Sequence, residues 1–180
     1  TVWSNADYVL CGTPYSDING GFGTSISYKG IALNVGFTYA IGGKVFDDGY
    51  RTSMTMPSMG YTGGALHQDV LNAWSVTNAT SNIPRLQFND LNSNYTSSRW
   101  LTDGSYLSLQ SVNLSYTFPT NLVKAMYLSN LRVYVSGENL YLWSKRKGLD
   151  PRSNSGFDGY CAITNYVPMR TITAGLSLNF

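Results

Sequence analysis

The chain has 180 residues, of which 12% are charged and 14% aromatic, and its formal net charge is +2. The charged fraction lies well below the roughly 25% of a typical soluble domain, and the aromatic content excludes a disordered tail. Because the net charge is small and the Lys and Arg residues are scattered, composition gives no reason to expect binding to nucleic acid or to an anionic membrane surface.

Patterns for helical membrane spans and for export are absent. No window approaches the ~18 consecutive apolar residues of a transmembrane helix, and residues 1–4 are neither basic nor followed by an apolar run, so no signal peptide is predicted. We therefore expect either a mature protein or, as we favour, a piece of a longer one. The spacing of Cys11 and Cys161 matches no zinc site or CxxC motif. The two residues are either unrelated thiols or partners in a disulfide formed in an oxidising compartment.

The first predicted strands lie near 22–29 and 31–45. The clearest pattern covers residues 31–41, where the odd positions are apolar and the even positions are small or polar: Ile31, Leu33, Val35, Phe37, Tyr39 and Ile41 against Ala32, Asn34, Gly36, Thr38 and Ala40. Strict alternation predicts a strand with one apolar face. Its length exceeds the usual 5–6 residues of a soluble strand and suits the ~9–11 residues of a membrane-spanning strand.

Alternation recurs in predicted strands near 104–118, 130–144 and 169–180. The apolar set is predicted to point into a membrane and includes Leu33, Val35, Phe37, Val133, Val135 and Leu176. The small uncharged residues between them would line an aqueous or plugged lumen. Aromatic residues near strand ends are candidates for an interfacial girdle: Tyr28, Tyr39, Tyr116 and Phe118. The predicted fold is all-β, with about five antiparallel transmembrane β-barrel strands.

The connections between the predicted strands are unequal. Lys29-Gly30 and residues 119–130, with a helical turn near 122–126, are short, whereas 1–21, 46–103 and 146–168 are long. Outer-membrane barrels place short turns in the periplasm and long loops outside, so the long segments are predicted to be extracellular. Leu66, Val70 and Trp74 are spaced by four and predict a short helix over 65–74. Five strands are too few to close a barrel, so they should pair with strands absent from this sequence.

Segments in order along the chain resemble the late barrel strands of SusC/RagA-type TonB-dependent transporters. They are Gly20–Ser25 with Ser27–Gly30, Gly42–Phe46, His67–Trp74 with Ile83–Leu86, Asp103–Leu109, Ser115–Pro119, Leu131–Leu140, Lys147–Pro151, Pro168–Thr171 and Gly175–Phe180. The resemblance implies the C-terminal part of a 22-stranded barrel around an N-terminal plug.

The resemblance also implies a function and partners. It implies TonB-dependent import of a nutrient, an oligosaccharide or a peptide, across the outer membrane of a Gram-negative, Bacteroidota-like bacterium. The implied partners are a SusD-type surface lipoprotein acting as a lid, TonB acting through a missing N-terminal part, and outer-membrane lipid. No cofactor and no nucleic acid are implied.

Two sets of residues are candidates for specific roles. Leu176, Leu178 and Phe180 resemble the C-terminal signal recognised by the barrel-assembly machinery; an ordinary last strand with an interfacial aromatic is the alternative. The aromatic residues Trp74, Trp100, Tyr160 and Tyr166 in the long loops are candidates for contact with ligand or lid, with loop packing as the alternative. Arg132 and Glu138 are predicted to face the lumen, bonded to the plug or to each other.

No catalytic, metal or cofactor-binding residue is predicted. His67, the single histidine, has Asp69 nearby but no further ligand or nucleophile, so an enzyme is not expected. Asp150-Pro151 indicates a fixed turn with an architectural role. Two rival interpretations are a soluble all-β carbohydrate-binding module, which predicts short strands with charged outer faces, and a small complete barrel acting as an adhesin, which needs an even strand count.

Overall fold

The computed structural model describes residues 9–55, 64–88, 95–125, 127–153, 159–162 and 166–179. Its strands are β1 (Ile18–Tyr28), β2 (Ile31–Ile41), β3 (Lys44–Asp47), β4 (Leu101–Asp103), β5 (Tyr106–Thr117), β6 (Asn130–Ser144), β7 (Tyr160–Cys161) and β8 (Thr171–Asn179). Helices α1 (Asp48–Ser53) and α2 (Thr120–Ala125) are accompanied by 3-10 helices Gln68–Asn72, Ser98–Trp100 and Pro151–Ser153. None of the described helices is long and apolar enough to cross a membrane.

The chain divides into two compact units. The sheet unit comprises Ser16–Gly42, Gly104–Arg152 and Tyr166–Phe180, and the loop unit comprises Thr1–Tyr15, Gly43–Asp103 and Ser153–Asn165. In the sheet unit five strands are ordered β1-β2-β5-β6-β8, and every neighbouring pair is antiparallel.

One face of the five-stranded sheet is apolar along each row of paired residues. One row consists of Ile26, Leu33, Leu114, Val135 and Ala174, and the next consists of Tyr28, Ile31, Tyr116, Val133 and Leu176. Leu176 is 63% exposed and Leu114 is 48% exposed, so no second layer formed by the described residues packs over this face. The six residues that alternation assigned to a common face do share it.

The opposite face of the sheet is polar and small. Its central row is Ser25, Asn34, Asn113, Ser136 and Thr173, and the adjacent row is Gly23, Gly36, Ser111, Glu138 and Thr171. The eleven residues of β2 span roughly 33 Å at about 3.3 Å per step. A strand tilt of roughly 40° reduces that span to about 25 Å, the height of the apolar band on an outer-membrane barrel.

A β-bulge at Gln110 keeps the two halves of β5 on the same face. Leu109 pairs with Phe37 and Val112 pairs with Val35, so β5 carries one more residue than β2 across this step. The odd-numbered Leu109 and the even-numbered Val112 therefore both lie on the apolar face. In β6 the same region contains Asn139 at φ 51°, a left-handed conformation that Asn adopts more readily than most residues.

Two element boundaries differ from the sequence-based prediction. The strand predicted over 31–45 is two strands in separate sheets, because Gly42 and Gly43 have φ of 85° and 80°, outside the extended region. The chain leaves the sheet there. The segment 1–21, predicted to be loop, already contains the start of β1 at Ile18. The predicted helical turn in the short link is present as α2.

The helix predicted over 65–74 is only a short 3-10 helix at Gln68–Asn72. Beyond it, the carbonyl oxygen of Asn72 accepts hydrogen bonds from Asn78 Nδ2 at 3.2 Å and Ser81 Oγ at 2.5 Å. These side chains satisfy a carbonyl that a longer helix would have paired internally. Of the predicted helical stripe, Val70 is buried at 7% exposure, while Leu66 and Trp74 are each 38% exposed.

The loop unit has its own small core. Its sheet has the order β4-β3-β7, with β3 antiparallel to β4 and parallel to β7. Buried apolar residues of the unit are Val45, Phe46, Val70, Trp100 and Cys161. Cys161 is buried and Cys11 is exposed, and no disulfide joins them.

Candidate functional site

A polar arrangement in the sheet unit surrounds Arg152. Its guanidinium forms a two-point ion pair with Asp150, with Nε–Oδ1 at 2.9 Å and Nη2–Oδ2 at 2.7 Å. Nη1 donates to Ser108 Oγ at 2.9 Å, and longer contacts of 3.3 and 3.4 Å reach Gln110 Oε1 and Asn139 Oδ1. We call Ser108, Gln110, Asn139, Asp150 and Arg152 the arginine cluster.

Local backbone geometry brings the arginine cluster together. Gln110 is the bulge residue of β5, and its Nε2 donates to Asn139 Oδ1 at 3.1 Å. After β6 the chain reverses through Gly148 at φ 88°. The Ser144 hydroxyl donates a hydrogen bond to the carbonyl oxygen of Leu149 at 3.1 Å, which stabilises this turn. The cluster is therefore built where the bulge and this turn meet on the polar face.

The arginine cluster is buried, so the loss of one of its charged partners should lower the stability of the fold. The side chains of Arg152 and Asp150 are 16% and 8% exposed, and Ser108 is fully buried. The hydrogen bond to Asp150, partly offset by burial, raises the pKa of Arg152 above its ordinary value. Removing one partner of such a pair leaves a charge with little access to water, which is strongly destabilising. The ion pair and the hydrogen bonds of the cluster can hold the turn after β6 against β5.

Arg132 and Glu138 lie on the polar face but are not bonded to each other. Arg132 Nη2 donates to Ser115 Oγ on β5 at 3.0 Å, and Glu138 is exposed opposite Ser111. Asn113, in the central polar row, has a buried Oδ1 without a hydrogen-bond partner.

His67 and Asp69 serve the local structure of the loop unit. His67 Nδ1 accepts the backbone N–H of Asp69 at 3.2 Å, and Asp69 Oδ2 accepts the Tyr50 hydroxyl at 2.8 Å. His67 Nδ1 also lies 3.4 Å from Asp69 Oδ2. Across the described ranges no group of three or more His, Cys, Asp or Glu residues is arranged to hold a metal ion.

The four loop aromatics predicted as contact residues have different environments. Trp100 is 4% exposed and its Nε1 donates to the Tyr95 carbonyl at 3.0 Å. Tyr160 stacks on Phe46 with ring centroids 5.5 Å apart, and burial raises its pKa. Both therefore pack within the loop unit, where Trp100 is buried and Tyr160 is partly exposed, and their contact with ligand or lid stays a prediction. Trp74 and Tyr166 are 38% and 81% exposed and remain available to a partner.

Two of the three proposed assembly residues, Leu176 and Leu178, lie on β8. Leu178 pairs with Leu131, and Leu176 pairs with Val133, on the apolar face. Phe180 lies outside the described residues. Sequence reasoning missed the arginine cluster. Its signal was the change of alternation between Leu109 and Val112, since a phase change inside one strand indicates a bulge.

These features define a class of protein. A sheet of long antiparallel strands, with an uncovered apolar face of membrane height and a polar face opposite, is a section of the wall of a transmembrane β-barrel. A soluble sandwich would cover the apolar face with a second sheet.

Comparison with known proteins specifies the family. TonB-dependent receptor P3 of Formosa agariphila is 30% identical over 185 residues, covering 98% of this chain and 18% of that protein. TonB-dependent receptor SusC of Bacteroides thetaiotaomicron is 26% identical, covering 98% and 16%. Structures of the RagAB peptide importer in the 'open-open' and 'closed-closed' states match 95% of this chain and 18% of theirs, with TM-scores of 0.73 and 0.75 and identities of 26% and 24%.

No protein-family model matches the chain. The similarities nevertheless agree in sequence and fold over nearly its whole length, and they assign it to the barrel of SusC/RagA-type TonB-dependent receptors. The chain spans less than one fifth of the length of the curated relatives it matches.

Proposed function

We propose that this chain is the C-terminal section of the barrel wall in a TonB-dependent transporter of a Gram-negative outer membrane. The observation that carries the proposal is the sheet with one apolar and one polar face, matched over its whole length to receptors of this type. The wall would enclose a lumen through which a nutrient is imported. The role of the chain is structural and gating, without a chemical step of its own.

The two outer strands of the sheet support a role within a larger barrel. Within the described part of the chain, β1 and β8 each pair on one side only. Unpaired strand edges are not tolerated in hydrocarbon, because each unsatisfied backbone group costs several kcal/mol. Both edges would be satisfied by strands of the remaining barrel, including the 22-stranded arrangement that the resemblance implies.

The long segments 46–103 and 146–168 would lie outside the cell, with a SusD-type lipoprotein as their partner. Among the described residues the loop unit exposes large apolar side chains: Leu71 and Val76 are each 89% exposed, and Trp74 lies between them in sequence. Exposed apolar groups of this size are suited to a protein partner. The cargo would be an oligosaccharide or a peptide, and the RagAB neighbours, named as a peptide importer, favour a peptide.

The test is uptake by cells that carry or lack the full-length protein. We expect deletion of the gene to abolish growth on either an oligosaccharide or a peptide mixture, and deletion of TonB to reproduce the defect. A tagged full-length protein should also retain a surface lipoprotein during purification. Unchanged uptake of both nutrient classes, together with purification of the receptor alone, would contradict the proposal.

A further inference from the structure

A groove lies where β6 extends beyond its neighbour β8. The pairing between them ends at Glu138 and Thr171, whereas β6 continues to Ser144 against β5. The groove is lined by residues 139–144 and 147–150 and by Arg152, Val167, Pro168 and Arg170, and its volume is about 640 Å³. All of its lining residues belong to the sheet unit.

The groove has an aromatic wall on the apolar face of the sheet. Tyr141 pairs with Leu109 and Trp143 pairs with Leu107, so both rings are on the face assigned to lipid. They are 51% and 48% exposed and lie 4.5 Å apart between ring centroids. Aromatic rings near the end of a barrel strand, as here at the end of β6, are typical of the interface between hydrocarbon and headgroups. Asp150 and Arg152 of the arginine cluster, which is on the polar face, also line the groove, so the groove extends around the free edge of β6.

Basic side chains surround the same groove. Lys147 and Arg170 line it, and both are exposed. Neither forms a side-chain hydrogen bond or ion pair among the residues that the structure describes. Lys145 is exposed at the end of β6, just after Trp143. The one acidic lining residue, Asp150, is already paired with Arg152, so the groove presents net positive charge.

We propose that this groove binds the phosphate headgroup of an anionic membrane lipid, with Lys147 and Arg170 on the phosphate and Tyr141 and Trp143 along the first part of the acyl chain. Charge complementarity selects an anion, since basic side chains at the membrane surface attract phosphate-bearing lipids. The two outward-facing rings favour a lipid over a soluble anion, because they add an apolar surface for an acyl chain beside the basic groups. The inference rests on the proposed function for the membrane and its orientation.

The test uses the full-length receptor, purified in neutral detergent and titrated with phosphatidic acid, phosphatidylcholine or inorganic phosphate under native mass spectrometry. In the double variant Lys147→Gln/Arg170→Gln, phosphatidic acid should bind about 30-fold more weakly, since each basic group near a membrane surface contributes about 1 kcal/mol. Phosphatidic acid with brominated acyl chains should quench wild-type fluorescence, and Trp143→Phe should remove that part of the quenching.

The matched control is Lys29→Gln/Lys124→Gln. Both lysines are exposed at the other end of the sheet, and Lys29 lies 5.2 Å from the ring centroid of Tyr28, so the control also pairs a base with an aromatic. Equal losses in the two double variants, equal binding of phosphatidylcholine, or equally tight binding of inorganic phosphate would each overturn the lipid site. Lipid binding by a receptor that supports no uptake would contradict the transport function alone; uptake without selective lipid binding would remove the site alone.

Discussion

The ring of Tyr134 on β6 lies directly over Gly175 on β8. The two residues are cross-strand partners, and a Cβ built on Gly175 would overlap Cζ and the hydroxyl oxygen of Tyr134. An aromatic ring placed over a strand glycine covers backbone that would otherwise be bare and helps to set the register. Tyr134 thereby holds the last strand in register on the polar face.

Gly175→Ala should destabilise the full-length barrel by about 1–3 kcal/mol, because a methyl group inserted against a packed ring forces the ring or the strand to move. Urea unfolding of the purified receptor, followed by Trp fluorescence, measures the effect. Gly64→Ala is the control, since no atom lies within 4 Å of a Cβ built there. In a Tyr134→Ala background the Gly175 substitution should cost much less; an unchanged cost would exclude the ring as its cause.

Val35→Arg should cost roughly 2–4 kcal/mol, the range for a cation near the midplane on the lipid face of a barrel. Val35 pairs with Val112 near the middle of the sheet. The adjacent Asn34 is on the polar face, so Asn34→Arg is the matched control and should cost less. Equilibrium unfolding into urea in the presence of lipid vesicles compares the two. If the control were the more damaging variant, the assignment of the faces would be reversed.

Arg152→Ala should loosen the turn after β6, since Asp150 would be left buried without its ion pair; losses of this kind are about 3–5 kcal/mol. Hydrogen–deuterium exchange of residues 144–153 in the full-length protein should increase, while exchange in β2 should be unchanged. Arg152→Lys keeps the charge but not the two-point geometry and should give an intermediate result. Unaltered exchange in Arg152→Ala would show that the cluster does not hold the turn.

Residues 1–180 expressed alone should fail to form a closed, heat-resistant barrel. The five-stranded sheet has two outer strands, each with one edge unpaired among the described residues, and lipid cannot satisfy those backbone groups. Electrophoretic mobility before and after heating, in detergent, is the measurement. A monodisperse monomer that migrates differently after heating would show that the sheet closes without further strands.

Deletion of residues 154–158 should weaken lipoprotein binding or uptake while leaving barrel assembly intact. The deletion spares both β8 and the arginine cluster, so folding of the wall should not depend on it. Co-purification of the partner and nutrient uptake are the readouts, with heat-dependent mobility as the check on assembly. Normal binding and uptake, or location of this segment on the periplasmic side, would contradict the extracellular role proposed for 146–168.

The features that could be predicted from the sequence depend on local residue patterns. Alternation over residues 31–41 determined which side chains share a face, because successive side chains of a strand point to opposite sides. The uncharged polar residues between them indicated a lumen rather than open solvent. The ordered motifs carried the family resemblance. The conformation of the long loops was harder to predict from sequence. The spacing of Leu66, Val70 and Trp74 predicted a helix, but the carbonyl oxygen of Asn72 accepts hydrogen bonds from the side chains of Asn78 and Ser81 instead of continuing one.

The sequence by itself determined the two faces of the wall, the short and long connections, and the class of transporter that they resemble. The tertiary structure decided which distant residues meet. Arg152 reaches Ser108 across 44 positions of sequence, and Lys147 and Arg170 line one groove although the chain's basic residues are scattered. Alternation is set by the geometry of a single strand. Contacts between distant residues depend instead on the register between strands and on the bulge at Gln110, which shifts that register by one residue.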